Sequence, residues 1–171
     1  MQFPTLLVAL FTLFTAALAA PVLERRANAP VFSKQTYNQL SISGGRAGNA
    51  QAQALAKFSA LNLNDAMNVA KADLDFLNSV NQIANKAETG AYNPALDTTT
   101  GAAKTALQNG KIQNKVLKLT ATILKLKVQA AQGQNNAEKL AAEQKKLDNN
   151  IKLDKAAAGQ AATKLSFNAS T

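Results

Sequence analysis

The sequence predicts an all-α fold: an antiparallel bundle of about four helices with extended N- and C-terminal arms. Three observations carry this expectation. From residue 47 to residue 158, apolar side chains recur at spacings of three and four. The breaks between these runs are short and rich in Gly, Pro, Asn or Thr. Outside them, two short pieces alternate at period two instead.

Residues 27–48 read as an irregular arm. Leu40-Ser41-Ile42-Ser43 alternates like a short strand before Gly44-Gly45 breaks it. Leu165-Ser166-Phe167-Asn168, in the tail 160–171, alternates the same way. The two pieces either pair as a ribbon joining the termini or lie as separate arms on the helices. Helical character begins with Ala47, Ala50, Ala54, Phe58 and Leu61. Gly48 or Asn49 can start that helix and Asn62 can end it. A second helix carries Val69, Phe76, Val80, Ile83 and Ala87 on one side, with Leu77, Ala84 and Ala91, and Asn68 can cap it. Gly90 and Tyr92-Asn93-Pro94 are expected to stop it, because the residue before proline is pushed out of the α region.

The threonine-rich segment 97–101 reads as a loop. The longest helix follows, over about residues 102–132. Ile112, Val116, Leu119, Ile123, Leu126 and Ala130 form one seam; Leu117, Ala121, Leu124, Val128 and Ala131 form another. Two seams well apart on one helix predict the central member of the bundle. A turn at residues 132–136 leads to a last helix over about 137–158, with Ala137, Leu140, Ala141, Gln144, Leu147 and Ile151 as its inner stripe and Gly159 as its stop. Asp148 and Lys152 are spaced as an i,i+4 pair. The bundle proper spans 49–159.

The first 26 residues read as an address. An apolar run from Leu6 to Leu18 ends in Ala17-Leu18-Ala19, a small-x-small pattern that signal peptidase cuts. Residues 1–19 are thus expected to be a signal peptide. Residues 20–26 form a short pro-segment closing on Arg25-Arg26, the substrate of a dibasic-specific processing protease. The expected product begins at Ala27 and is secreted, to the extracellular space or the cell wall.

Composition narrows the chemistry. The chain has no cysteine, so no disulfide supports it, and no histidine or tryptophan. Ser-His-Asp and Cys-His nucleophile systems and zinc sites built on imidazole or thiolate are excluded. A sugar-stacking face of aromatic rings is disfavoured. No transmembrane span, no GPI-type tail, no nucleic-acid motif, no metal and no cofactor is expected past the leader. The formal charge of +9 favours acidic partners, and loss of Glu24, Arg25 and Arg26 lowers it by one.

Lys104, Lys111, Lys115, Lys118 and Lys125 fall within an arc of about 80° on the long helix. No acidic residue lies among them in sequence. They are a candidate basic ridge for an anionic polymer or surface, or simply the solvated strip of a buried helix. Gly44-Gly45-Arg46-Ala47-Gly48 precedes a helix start and offers N–H groups for an anion, but it lacks Walker spacing and fits an entry turn better. Asp73 and Asp75 diverge by about 200° on a helix and cannot form a carboxylate pair. Glu88 and Asp97 flank one loop and could approach each other, though no cleft is indicated. Asn168-Ala169-Ser170 is a glycosylation sequon.

Three stretches carry a resemblance: Gln35 to Asn49 (QTYNQLSISGGRAGN), Leu107 to Thr120 (LQNGKIQNKVLKLT) and Glu143 to Ile151 (EQKKLDNNI). The chain resembles the small secreted proteins of filamentous ascomycete fungi, which are grouped as cell-wall or effector candidates. The resemblance implies export and a fungal source, and it supplies no activity and no site residues. The expected function is non-enzymatic binding, at the cell wall or as an effector-like host-interaction factor. Its expected partners are a host protein, a fungal cell-wall polymer or an anionic surface. Alternatives are a cationic membrane-active or antimicrobial helical protein, or a carrier of a small apolar ligand between helices; a hydrolase is the weakest option. N-terminal sequencing of the exported protein should read Ala27-Asn28-Ala29-Pro30. A product starting at Ala20 would show the dibasic pair is not used.

Overall fold

The structure, a computed structural model, describes residues 27–171. The processing residues Ala19, Arg25 and Arg26 lie outside the described residues. The chain is an all-α bundle with one minor two-stranded ribbon. Its elements are α1 (Tyr37–Leu40), β1 (Gly45–Arg46), α2 (Ala50–Lys57), a 3-10 turn (Leu63–Asn68), α3 (Lys71–Ala87), a π turn (Glu88–Tyr92), α4 (Asn93–Thr98), α5 (Gly101–Ala131), α6 (Ala137–Ala156) and β2 (Ala161–Ala162).

The long helix is central, as its two seams predict. α5 packs against α2, α3, α4, α6 and β2. Val116, Leu117, Ala121 and Val128 are wholly buried, facing Leu77, Val80, Ala84 and Ala87 of α3 among others. The seams fade at their end, where Ala130 and Ala131 are exposed. Leu147 and Ile151 seat α6, whereas Ala137 and Ala141 of its expected stripe face solvent. The Asp148 carboxylate accepts a hydrogen bond from Gln144 (2.8 Å) rather than pairing with Lys152.

The first two helices differ from expectation at their ends. α2 starts at Ala50, leaving Ala47 outside, and ends at Lys57. Asn49 makes no side-chain cap; the free Ala50 N–H instead donates to Asp154 Oδ2 (2.8 Å), a buried carboxylate on α6. Asn62 caps the 3-10 turn by accepting from the Asn64 N–H. α3 begins past Asn68, with Ala70 as its cap residue. Its C-terminal end is not the expected stop. Asn93 stays in the right-handed helical region (φ −61°, ψ −52°), and its N–H bonds to the Glu88 carbonyl across the wide π turn. That shift of register places Pro94 in the first turn of α4, where a missing N–H costs nothing.

The arms do pair, but through other residues than the alternating pieces. Leu40 closes the helical turn α1. The ribbon joins Gly45 to Ala162 and Arg46 to Ala161, antiparallel, and a separate bridge joins Thr36 to Ser170. Both arms are pinned on α5 by its buried polar side chains. Asn109 Nδ2 donates to the Ala161 carbonyl (2.9 Å). Gln113 accepts from the Gly44 N–H (2.9 Å) and donates to the Arg46 carbonyl (3.2 Å). Asn114 accepts from the Tyr37 hydroxyl (3.0 Å) and donates to the Ala84 carbonyl (2.9 Å). Burial, reinforced by neighbouring Tyr92, pushes the Tyr37 hydroxyl well above its ordinary pKa, so it remains a donor.

Gly110 makes this arrangement possible. The Ser43 hydroxyl donates to its carbonyl (2.8 Å), and the Thr163 N–H donates to the Ala106 carbonyl one turn earlier (2.8 Å). A Cβ at Gly110 would collide with the Thr163 carbonyl oxygen. Gly110→Ala should therefore destabilise the protein by about 1–3 kcal/mol, although alanine gains about 1 kcal/mol in helix propensity. Chemical denaturation measures the sign; an unchanged or raised midpoint would refute the close approach.

A candidate binding groove beside the central helix

The five lysines of the expected ridge do not share one environment. Lys104 is exposed near the start of α5, and Lys111, about two turns on, is half-buried. Lys115 and Lys118 face Glu88 of the π turn, at 3.2 Å and 2.8 Å. The Lys118 amine also donates to Asn85 Oδ1 (3.1 Å). Lys125 donates to Asn78 Oδ1 of α3 (2.8 Å). The acid missing from the helix's own sequence is thus supplied by a neighbouring element, which intrahelical spacing cannot reveal. Glu88 is committed to these lysines rather than to Asp97, which is exposed.

Burial pushes the Glu88 carboxyl up, but the hydrogen bond and charge of Lys118, together with Lys115, outweigh it and hold the group below its ordinary pKa. A carboxyl depressed on folding stabilises the protein above its unfolded pKa and loses that contribution as pH falls through its folded pKa.

Lys125 marks a different place. Two adjoining hollows share Lys125 and Asn78 and form one groove over α5 alongside α3, with α6 bordering the smaller of them. The larger, about 620 Å³, is bordered by Met67, Leu74, Gln129, Gln132 and Gln134, and by Ala27 of the N-terminal arm. The smaller, about 230 Å³, is bordered by Asn81, Thr122, Lys139 and Glu143. The walls are preorganised: Asn81 donates to the Thr122 hydroxyl (2.7 Å) and Gln132 to the Val69 carbonyl (3.0 Å).

The charges of the groove do not cancel. Asp75 is taken by Lys71 (2.6 Å) and Glu143 by Lys146 (2.7 Å). Among the described residues, neither Lys125 nor Lys139 has a carboxylate within ion-pair distance. Burial, and then the charge of Lys139, lower the Lys125 pKa, against a smaller opposing pull from Asp75. An anion between the two amines would relieve that repulsion. Lys139 comes from the helix after Lys125, and no motif in the sequence links them.

The remaining sequence candidates have structural partners. Arg46 donates to the Gly159 carbonyl, and the Gly44 N–H is used by Gln113. Asp73 is buried in the first turn of α3 and accepts from the N–H groups of Val31 (3.0 Å) and Phe32 (3.0 Å). Asn168 is exposed on the C-terminal arm. Among the described residues, no group of three acidic side chains could hold a metal, and no helix is long and apolar enough to cross a membrane.

The Glu88 cluster gives a signed pH dependence. At neutral pH, Glu88→Gln should cost about 1 kcal/mol. As pH falls through the ordinary glutamate range to Glu88's lowered pKa, the wild type should lose its advantage and the two denaturation midpoints should converge. Parallel midpoints from pH 7 to pH 3 would contradict the pairing.

Residues 32–166 match the family model described as Domain of unknown function (DUF8454). No curated protein and no solved structure matches the chain. The matched span runs from Phe32 on the N-terminal arm through every helix to the C-terminal arm, and it includes Asn78, Lys125 and Lys139. The chain belongs to the DUF8454 family.

Proposed function

We propose that this is an exported, non-enzymatic binding protein of a filamentous fungus that holds an acidic glycan in the groove over α5 alongside α3. The observation that carries the reading is the pair of uncompensated amines, Lys125 and Lys139, in a groove whose walls also present Asn78, Asn81, Thr122, Gln129, Gln132 and Gln134. Amide side chains donate to and accept from sugar hydroxyls. The two amines suit a carboxylate or phosphate on the same chain. The leader-like residues 1–26 support action outside the cell. The absence of histidine and cysteine from the sequence supports binding rather than nucleophilic chemistry.

The alternatives draw less support. A membrane-active helix needs a free cationic face, whereas Lys115 and Lys118, in the middle of the α5 strip, are paired with Glu88. A carrier of an apolar molecule needs an enclosed apolar cavity, and these hollows are open, with polar and apolar side chains mixed along their walls. Acidic glycans occur in fungal walls and in host tissue; the groove chemistry is common to both, so the source is a matter for experiment.

Calorimetry with oligogalacturonate and with a neutral chitin oligosaccharide tests the reading. Oligogalacturonate should bind, more weakly as salt rises, and Lys125→Met should reduce its affinity by about tenfold. Lys152→Ala, on the exposed side of α6, should leave affinity unchanged. Equal affinity of wild type and Lys125→Met would refute the groove. Parallel pull-downs on isolated fungal wall and on host extract separate a wall role from an effector-like one.

A further inference from the structure

Ala27 stands on the rim of the larger hollow, and it is the residue that cleavage after Arg26 would make the first of the chain. Its position is held. The Asn28 N–H donates to the Asn68 carbonyl (2.7 Å), and the Asn28 side chain donates to Asp65 (2.7 Å). Three residues on, Val31 and Phe32 hang from the buried Asp73 carboxylate. The Phe32 ring stacks on Phe76 with centroids 4.6 Å apart, and meets Phe58 edge-on. Asp73 is thereby spent on backbone donors of the arm, and its loss would release the arm's grip on α3.

The chemistry at the Ala27 nitrogen depends on processing. In the uncut chain it is a neutral amide followed, in the N-terminal direction, by Arg26, Arg25 and Glu24. In the cut chain it is an amine with an ordinary pKa of about 7.7–8, largely protonated in neutral or mildly acidic surroundings. We infer that the amine of Ala27, freed by cleavage after Arg26, is a ligand-binding group of the groove and acts with Lys125 and Lys139 on the same acidic glycan. Cleavage adds a further cation to the groove, beside Lys125 and Lys139. Processing at the dibasic pair then does more than trim the exported protein: it completes the binding site. Of the carboxylates around it, Asp75 is paired with Lys71, and both oxygens of Asp65 accept amide donors, from Asn28 and Asn68. This inference rests on the glycan-binding reading of the groove.

Two measurements test it. The first compares oligogalacturonate affinity of the naturally processed protein with that of the uncut Arg25→Ala, Arg26→Ala variant, its helix content checked by circular dichroism. The uncut form should bind about fivefold more weakly or worse. The second needs no variant: the rate of acylation of the Ala27 amine near neutral pH is read on the N-terminal peptide by mass spectrometry. Saturating oligogalacturonate should slow it at least about threefold, and a neutral chitin oligosaccharide should not. An unprotected Ala27 amine, or equal affinity of cut and uncut forms while Lys125→Met loses binding, would overturn the inference and leave the groove reading standing. Full affinity in Lys125→Met would remove the groove reading and this inference with it.

Discussion

Everything in this fold depends on how closely the C-terminal arm approaches α5 at Gly110. Only a residue without a side chain lets the Thr163 backbone lie against the helix. Once there, Thr163 donates to the Ala106 carbonyl, and the neighbouring Ala161 carbonyl receives Asn109. β2 is then in place to pair with β1. Both arms are thus gathered onto the stretch of the central helix from Ala106 to Asn114. That contact takes the place of a disulfide in a protein that has no cysteine.

The gathering is specific because it is polar. Asn109, Gln113 and Asn114 are buried within a helix whose other inner positions are mostly aliphatic. A buried amide left unbonded is costly, so these side chains accept only an arrangement that supplies their partners. Apolar seams would tolerate small slippage of the helices; the amides fix which loop lies where. Asp154 and Asp73 play the same part from α6 and α3, each accepting backbone N–H groups from a distant segment.

A rigid centre with engaged side chains leaves the periphery to carry function. Glu88 neutralises the middle of the lysine strip, and that part of α5 becomes structure. Lys125 lies beyond the reach of Glu88 and meets Lys139 instead, with their neighbouring carboxylates already paired elsewhere. One helix face therefore contributes to stability at one end and to an electropositive groove at the other. The N-terminal arm, anchored by Asp73, brings Ala27 to that same groove. The proposed binding groove and the expected start of the processed chain thereby share one location.

The helical class, the four long helical runs and the centrality of α5 were legible in sequence, because an apolar residue every third or fourth position forces a helix to bury that face. The lack of thiol and imidazole chemistry was equally plain from composition. Helix ends were less legible: the α2 cap comes from Asp154, about a hundred residues away, and the π turn lets the chain pass Pro94 without leaving the helix. The pairing residues of the arms were set by Gly110 and the α5 amides, not by the alternation of Leu40–Ser43 and Leu165–Asn168. The five lysines were visible as a set, but only tertiary structure divided them, since Glu88 and Lys139 arrive on other helices. Periodicity is a property of a single segment, and sequence determines it alone. Which charge meets which depends on how segments pack, and only the folded chain decides it.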